Sequence, residues 1–173
     1  MKLTNIDEQK DNNVGGSSHQ SVSIDHEKQV VNVDDNNGWK SWNTVWDYKT
    51  GYAATRILSK KSCVVTKMNP EIMPDVTTLP NAIKEKQKAP NRDVADKEVT
   101  YMVSSKRITD LTTYGKNVEA LCKGIPTYPA FEVKRECQDS TLSLALRYPK
   151  AEYYKSVFQL LTMSHTGSVD QYF

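Results

Sequence analysis

The segment from Trp39 to Met68 limits the fold more than any other part of the chain. Trp42, Thr44 and Trp46 fall on one face of an extended run and Val45 on the other, the period-two pattern of a strand with two different sides. Thr50-Gly51 breaks that run, and Tyr52 to Leu58 resumes it. Ser59-Lys60-Lys61-Ser62 breaks it again before the compact β-branched run Cys63-Val64-Val65-Thr66. Connections this short join only antiparallel strands, because a parallel pair needs a crossover of about a dozen residues or more. The three runs therefore predict an antiparallel sheet.

Two further strands are expected upstream. Val22 and Ile24 alternate with polar neighbours, as do Val31 and Val33, on either side of the turn Asp25-His26-Glu27-Lys28. Asn37-Gly38 tolerates positive φ and marks the next turn. Residues 1–20, rich in Asn, Asp, Gln, Ser and Gly, carry too little apolar surface to offset chain entropy and read as a mobile polar tail.

Downstream, Asn69-Pro70 and Pro74 punctuate the exit from the sheet. A helix is predicted from about Thr77 to Lys86, burying Leu79 and Ile83, with Pro80 in its first turn where a missing N–H is tolerated. Residues 87–98 read as an exposed loop and Val99 to Val103 as a strand. Leu111, Gly115, Val118 and Cys122 then make one helical stripe, with Thr109 to start it and Gly124 and Pro126 to end it. Ile125 to Val133 reads as a last strand, placed at an edge by Pro126 and Pro129. Beyond Cys137 the chain changes character: Leu142, Leu144 and Leu146 alternate, then Tyr153, Val157, Leu160 and Leu161 follow a helical period.

Composition excludes several function classes. The 173 residues are enough for one ordinary domain, and with 38% hydrophobic residues its core is small. A net charge of +2 gives no overall field for nucleic acid, which needs clustered cations. No run of 18 apolar residues is present, so no membrane span is expected. Met1 to Lys10 has no apolar stretch and is not a secretory leader, so the protein is either cytosolic or given without its leader.

Little in the chain points to catalysis. Phosphate loops, dinucleotide fingerprints, zincin helices and nucleophile elbows are all missing from the sequence. His19, His26 and His165 have no spaced Cys or carboxylate partners, and the expectation is a non-enzyme with no cofactor and no metal. Of the three cysteines, Cys63 lies in a β run and Cys122 on an apolar helix face. A helix laid across the sheet brings them together as a bridge; the alternative is two buried free thiols. Trp39, Trp42 and Trp46 form either a ligand-stacking row or part of a core. Lys60-Lys61 and the 84–88 run mark a solvated turn and helix end, or a weak site for anions. Asp47, after Trp46 in an aromatic extended segment, sits either at a turn or partly buried with a raised pKa.

Several of these motifs resemble those of a known family. Trp46-Asp47-Tyr48, Gly51-Tyr52-Ala53-Ala54-Thr55-Arg56 and Cys63-Val64-Val65 with Met73-Pro74 are similar to the first half of a BRICHOS domain. Val99-Thr100-Tyr101, the 111–122 helix and Ile125-Pro126-Thr127-Tyr128 are similar to the second half. Gln20-Ser21-Val22-Ser23 and Asn36-Asn37-Gly38-Trp39 resemble the gastrokine branch, and the resemblance covers about residues 20–133. It implies an α+β fold: a five-stranded, mostly antiparallel sheet between two helices, here with an N-terminal β-hairpin extension. The organisation it implies is a polar tail (1–20), a β extension (21–45), a BRICHOS domain (46–133) and an atypical C-terminal tail (134–173).

The resemblance also implies a disulfide between Cys63 and Cys122, a characteristic aspartate at Asp47, and secretion by the gastric epithelium. It implies an anti-amyloid chaperone that captures β-prone polypeptide clients, with mucosal protection and restraint of epithelial growth. An exposed apolar face or open sheet edge accepts an extended peptide through backbone bonds and stops a fibril from adding its next chain. The expected platform is the strands at Tyr52–Leu58 and Cys63–Met68, with Tyr52, Ala54, Arg56, Leu58, Val64 and Val65 meeting the client. The 87–98 loop then lets a helix move aside. Cys137 is left over and available to link two chains as a homodimer. Two alternatives stand beside this: a growth-modulating ligand for a cell-surface receptor using the 84–88 run, and a carbohydrate or mucin module using the Trp row.

Overall fold

The computed structural model describes residues 2–12, 16–71, 73–88, 97–132 and 152–158. Strands β1 (Leu3–Asn12), β2 (Gly16–Asp25), β3 (Val30–Asn36), β4 (Trp42–Asp47), β5 (Tyr52–Ile57) and β6 (Ser62–Lys67) follow one another as antiparallel neighbours. The chain then forms helix α1 (Leu79–Lys88) and returns as β7 (Lys97–Val103). A 3-10 turn (Thr112–Tyr114) and helix α2 (Lys116–Cys122) lead into β8 (Thr127–Glu132), which enters between β6 and β7, parallel to β6 and antiparallel to β7. β9 (Glu152–Phe158) lies antiparallel along the outer side of β7.

The alternation along the strands sorts the core into layers. Val22, Ile24, Val31, Val33, Trp42, Trp46 and Ala53 share one face with Val76, Leu79 and Ile83 of the α1 region. Val30, Val45, Ala54, Cys63 and Val65 share the opposite face with Val118 and Cys122 of α2. The sheet is mostly antiparallel and carries one helix on each side, as an α+β reading requires. Each large aliphatic side chain buried here contributes about 1.5–3 kcal/mol. Val118, Leu79 and Ile83 therefore hold their helices far more strongly than the intrinsic propensity of such short segments does.

Local chemistry sets the boundaries. At the β2–β3 turn, Asp25 Oδ1 accepts the N–H groups of Glu27 (3.1 Å) and Lys28 (3.0 Å), and Gln29 turns the chain at φ +56°. The β4–β5 turn repeats this arrangement, with Asp47 in the place of Asp25 and Gly51 (φ +75°) in that of Gln29. A second repeat, Asp-x-Thr-Thr, starts both helical segments. Asp75 Oδ1 accepts the N–H and hydroxyl of Thr77 (both 2.8 Å), and the Thr78 hydroxyl donates to the Asp75 carbonyl (3.1 Å). Asp110, Thr112 and Thr113 do the same ahead of the 3-10 turn.

Several expectations are corrected. The sheet reaches beyond the five strands β4–β8 of residues 42–132: β1, β2, β3 and β9 extend it to nine strands among the described residues. Residues 3–12 and 16–20 are not a loose tail: β1 pairs with β2 from Leu3↔Asp25 to Asn12↔Gly16. Backbone pairing at a sheet edge asks little of side chains, and Ile6, opposite Val22, still packs on the first core layer.

The predicted 111–122 helix is broken at Gly115 (φ +97°, ψ 160°), which leaves the helical region, so α2 has seven residues and Asp110, not Thr109, starts the segment. β8 is interior rather than an edge. Its ladder with β7 runs only over Ala130–Glu132, beyond Pro129, whose carbonyl accepts the N–H of Ser104 (2.9 Å); the proline therefore never has to supply a missing donor there. Tyr153 and Val157 belong to strand β9, not a helix, because β7 offers them a pairing edge. Cys137, Leu142, Leu144, Leu146, Leu160 and Leu161 lie outside the described residues, as does most of the 87–98 loop.

Candidate functional site

α2 is fastened to the sheet at both ends. At its C-terminal end Cys122 is disulfide-bonded to Cys63 of β6, with the two Cα atoms 5.6 Å apart and both residues fully buried. Val118, one turn earlier, fills the space over Val45, Ala54 and Val65. At its N-terminal end, Asn117 Nδ2 donates to Asp47 Oδ2 at 2.7 Å. The other carboxylate oxygen, Oδ1, accepts the N–H groups of Lys49 and Thr50, both at 3.1 Å. Asp47 therefore sits at a turn and is also buried, at 3% exposed. Tyr114, just ahead of α2, meets Tyr52 edge-on with ring centroids 4.9 Å apart.

Gly115 is the residue that allows this closeness. A Cβ there would lie 2.7 Å from Thr50 Cγ2 and 3.6 Å from Asp47 Oδ2, in a backbone conformation L side chains rarely adopt. Sequence reasoning singled out Asp47 and the Thr50-Gly51 turn but missed Asn117 as a partner. A polar residue next to an apolar stripe gives no signal of a contact made 70 positions away.

The opposite helix is held without a covalent bond. The Tyr48 hydroxyl donates to the Pro74 carbonyl at 2.7 Å, while Val76, Leu79 and Ile83 rest on Trp42, Trp46 and Ala53. Burial, reinforced by the nearby Asp75 carboxylate, pushes the Tyr48 phenol well above its ordinary value. Burial and then Glu132 push Tyr101 up to about 12. The carboxyls of Asp25, Asp75 and Asp110 are held below the ordinary 3.8. The leading causes are the Lys28 N–H, the Thr77 N–H and the Thr112 hydroxyl respectively.

The signs give a pH prediction. A phenol with a raised folded pKa stabilises the fold below its unfolded value of about 10, and that stability is lost as pH rises through about 10 to 12. A carboxyl with a depressed folded pKa stabilises above about 3.9, and that stability is lost as pH falls through the lower folded value. Thermal midpoints measured across pH are expected to hold a plateau between these limits and fall on both sides. The alkaline fall should track phenolate absorbance and move to higher pH in Tyr48→Phe.

The six residues expected to meet a client do not share a surface. Ala54 and Val65 are 1% exposed beneath α2. Tyr52 packs on Tyr114, Arg56 is exposed, and Leu58 lies in the β5–β6 turn. β5 and β6 are interior strands, so neither presents an open edge. Val64 alone of the six belongs to a different grouping. With Ile57, Tyr101 and Tyr128, all half-buried, it surrounds Val103 and Ala130 on the face that also carries α1. Among the described residues, no hydrophobic side chain of α1 or α2 belongs to this grouping.

The tryptophans form no row. Trp42 and Trp46 are buried in the first core layer, whereas Trp39 is exposed in the 3-10 turn Gly38–Lys40. His26 is hydrogen-bonded to the Thr4 hydroxyl (3.1 Å) and His19 is exposed. Among the described residues no group of three or more His, Cys, Asp or Glu is placed to hold a metal ion. No described helix is long and apolar enough to cross a membrane.

Comparison with known proteins bears on this arrangement. Residues 38–129 match the family model of the BRICHOS domain. The chain is 41% identical to gastrokine-1 of Mus musculus over 163 residues, 94% of this chain and 85% of the relative. It is 43% identical to gastrokine-1 of Homo sapiens over 87% of this chain and 79% of the relative. With gastrokine-1 of Sus scrofa the identity is 47%, over 72% of this chain and 68% of the relative. No solved structure matches.

Proposed function

The chain belongs to the gastrokine family of BRICHOS-domain proteins, and from that premise we propose that it is a secreted gastric-mucosal chaperone that captures β-prone polypeptide segments and restrains amyloid growth. Protection of the mucosa and restraint of epithelial proliferation follow as its physiological outcome. The disulfide agrees with an oxidising compartment, where such bonds persist.

The observation that carries the reading is the half-buried patch Ile57, Val64, Tyr101 and Tyr128. It offers aliphatic and aromatic side chains at strand spacing, which suits alternate side chains of an extended client. α1 covers the adjoining Trp42, Trp46 and Ala53, and only noncovalent contacts hold it there. α2 is locked by its disulfide, so α1 is the cover that can move to lengthen the platform. A client strand held on this face is withheld from a fibril end.

Fibril formation by a β-prone peptide, followed with an amyloid dye, tests this reading. The full chain at substoichiometric ratio is expected to prolong the lag severalfold. Val64→Lys should remove most of that delay, while Arg56→Glu, on the opposite face, should keep it. A chain that causes no delay, or a delay indifferent to Val64→Lys, overturns the reading.

A further inference from the structure

At one end of the sheet, two turns present apolar side chains to solvent among cations. Trp39 is 62% exposed and Leu58 is 43% exposed. The Leu58 N–H donates to the Ser41 carbonyl at 3.1 Å, which sets the 37–41 and 58–61 turns side by side. Neither turn is loose. Ser41 Oγ accepts the Asn37 N–H at 2.9 Å and donates to the Gly38 carbonyl at 2.6 Å, and the Lys40 N–H donates to the Asn37 carbonyl at 3.0 Å. The second turn is closed from the Lys61 N–H to the Leu58 carbonyl at 3.1 Å.

Lys40, Lys60 and Lys61 are exposed in these turns, and residues 37–41 and 58–61 include no acid. Lys123 adds a further exposed cation, because the Cys63 N–H donates to the Pro126 carbonyl at 2.8 Å and brings the 123–126 connection beside the start of β6. Asp34, on the adjoining strand β3, is engaged by Asn43 Nδ2 at 2.6 Å.

We propose that this end of the sheet is a docking tip for an anionic lipid surface, with Trp39 and Leu58 entering the headgroup boundary and Lys40, Lys60, Lys61 and Lys123 meeting lipid phosphates and carboxylates. The combination decides between anionic partners. An indole stacks on a sugar face, but a projecting leucine gains nothing there and gains fully at an acyl boundary. Tryptophan and lysine are also the side chains that settle at the level of lipid headgroups. The surface attracts each lysine by about a fivefold gain in partition, and salt screens that gain. None of this depends on the capture of β-prone clients, since the tip uses the side chains of Trp39, Leu58 and the lysines, and the client patch those of Ile57, Val64, Tyr101 and Tyr128.

The test uses the full chain with vesicles of phosphatidylcholine alone and of phosphatidylcholine containing phosphatidylserine. Sedimentation should recover the chain with the anionic vesicles only, and added salt should weaken binding. Trp42 and Trp46 are already buried, so a blue shift of tryptophan emission on binding reports Trp39 and should vanish in Trp39→Phe. Trp39→Ala and Leu58→Ser are each expected to weaken binding about tenfold, and the pair Lys60→Glu, Lys61→Glu by about twenty-five-fold or more. All four positions are exposed, so thermal midpoints should stay put. No binding to anionic vesicles, or binding that these variants leave unchanged, overturns the proposal. Capture by heparin through the same residues without vesicle binding also overturns it, and assigns the tip to a sulfated glycan.

Discussion

Replacing Cys63 and Cys122 together by serine is expected to lower the unfolding free energy by about 4 kcal/mol, the chain-entropy value for a loop of this length. The bond closes a separation of 59 residues. Domains of this size commonly hold about 5–15 kcal/mol in total, so a large share of the fold's margin rests on one bond. α2 has seven residues, far below the length at which an isolated helix persists. Without the bond it depends on Val118 and on the Asn117–Asp47 contact. Urea denaturation with and without reductant measures the effect. The wild-type protein in reductant should behave like the double variant, and an unchanged midpoint in both would contradict the expectation.

Asp47→Ala is expected to cost on the order of 3 kcal/mol, because it removes the charge-assisted bonds from Lys49, Thr50 and Asn117 that converge on a carboxylate 3% exposed. Asp47→Asn should cost less, roughly 1–2 kcal/mol. The amide oxygen can still serve the turn, and a reversed Asn117 amide can meet the new NH2 group. A double-mutant cycle between Asp47→Ala and Asn117→Ala isolates the contact between turn and helix. Its coupling energy should be about 1.5–3 kcal/mol. Additive losses would mean that Asp47 serves its own turn and does nothing for α2.

What the sequence made legible follows from the range over which each signal acts. The runs Trp42–Trp46, Tyr52–Leu58 and Cys63–Thr66 announced strands, because alternation and turn chemistry operate within a few residues. Leu79 and Ile83 identified the buried side of α1 for the same reason. The place of Gly115 in an apolar period hides both its positive φ and its close approach to Thr50. The prolines of β8 predict an edge strand, but in the sheet the β7–β8 ladder simply lies beyond Pro129, over Ala130–Glu132.

Of the candidate client residues, Tyr52, Ala54 and Arg56 alternate along β5 and so share the side that α2 covers, whereas Val64 and Val65 are neighbours that a strand sends to opposite faces. Ala54 and Val65 consequently lie under α2, and Val64 finds its neighbours in Tyr101 and Tyr128, from strands that sequence alone does not bring alongside. Asn117 was unreadable as a partner of Asp47 because no local pattern encodes that contact.

The insertion of β8 between β6 and β7 gives the disulfide a kinetic meaning. In β8, Thr127 pairs with Cys63, so along the reduced chain the two partners are separated by the whole stretch from residue 63 to residue 127. Closing so long a loop before any ladder forms carries an entropy cost that slows folding. Once Cys63 is bonded to Cys122, the covalent path from β6 to Thr127 shortens to the few residues after Cys122. Oxidation therefore turns the most distant strand pairing of the sheet into a nearly local one. Refolding of the oxidised chain should be faster than refolding of the reduced chain, by a factor set by loop length rather than by any contact the bond makes in the finished fold.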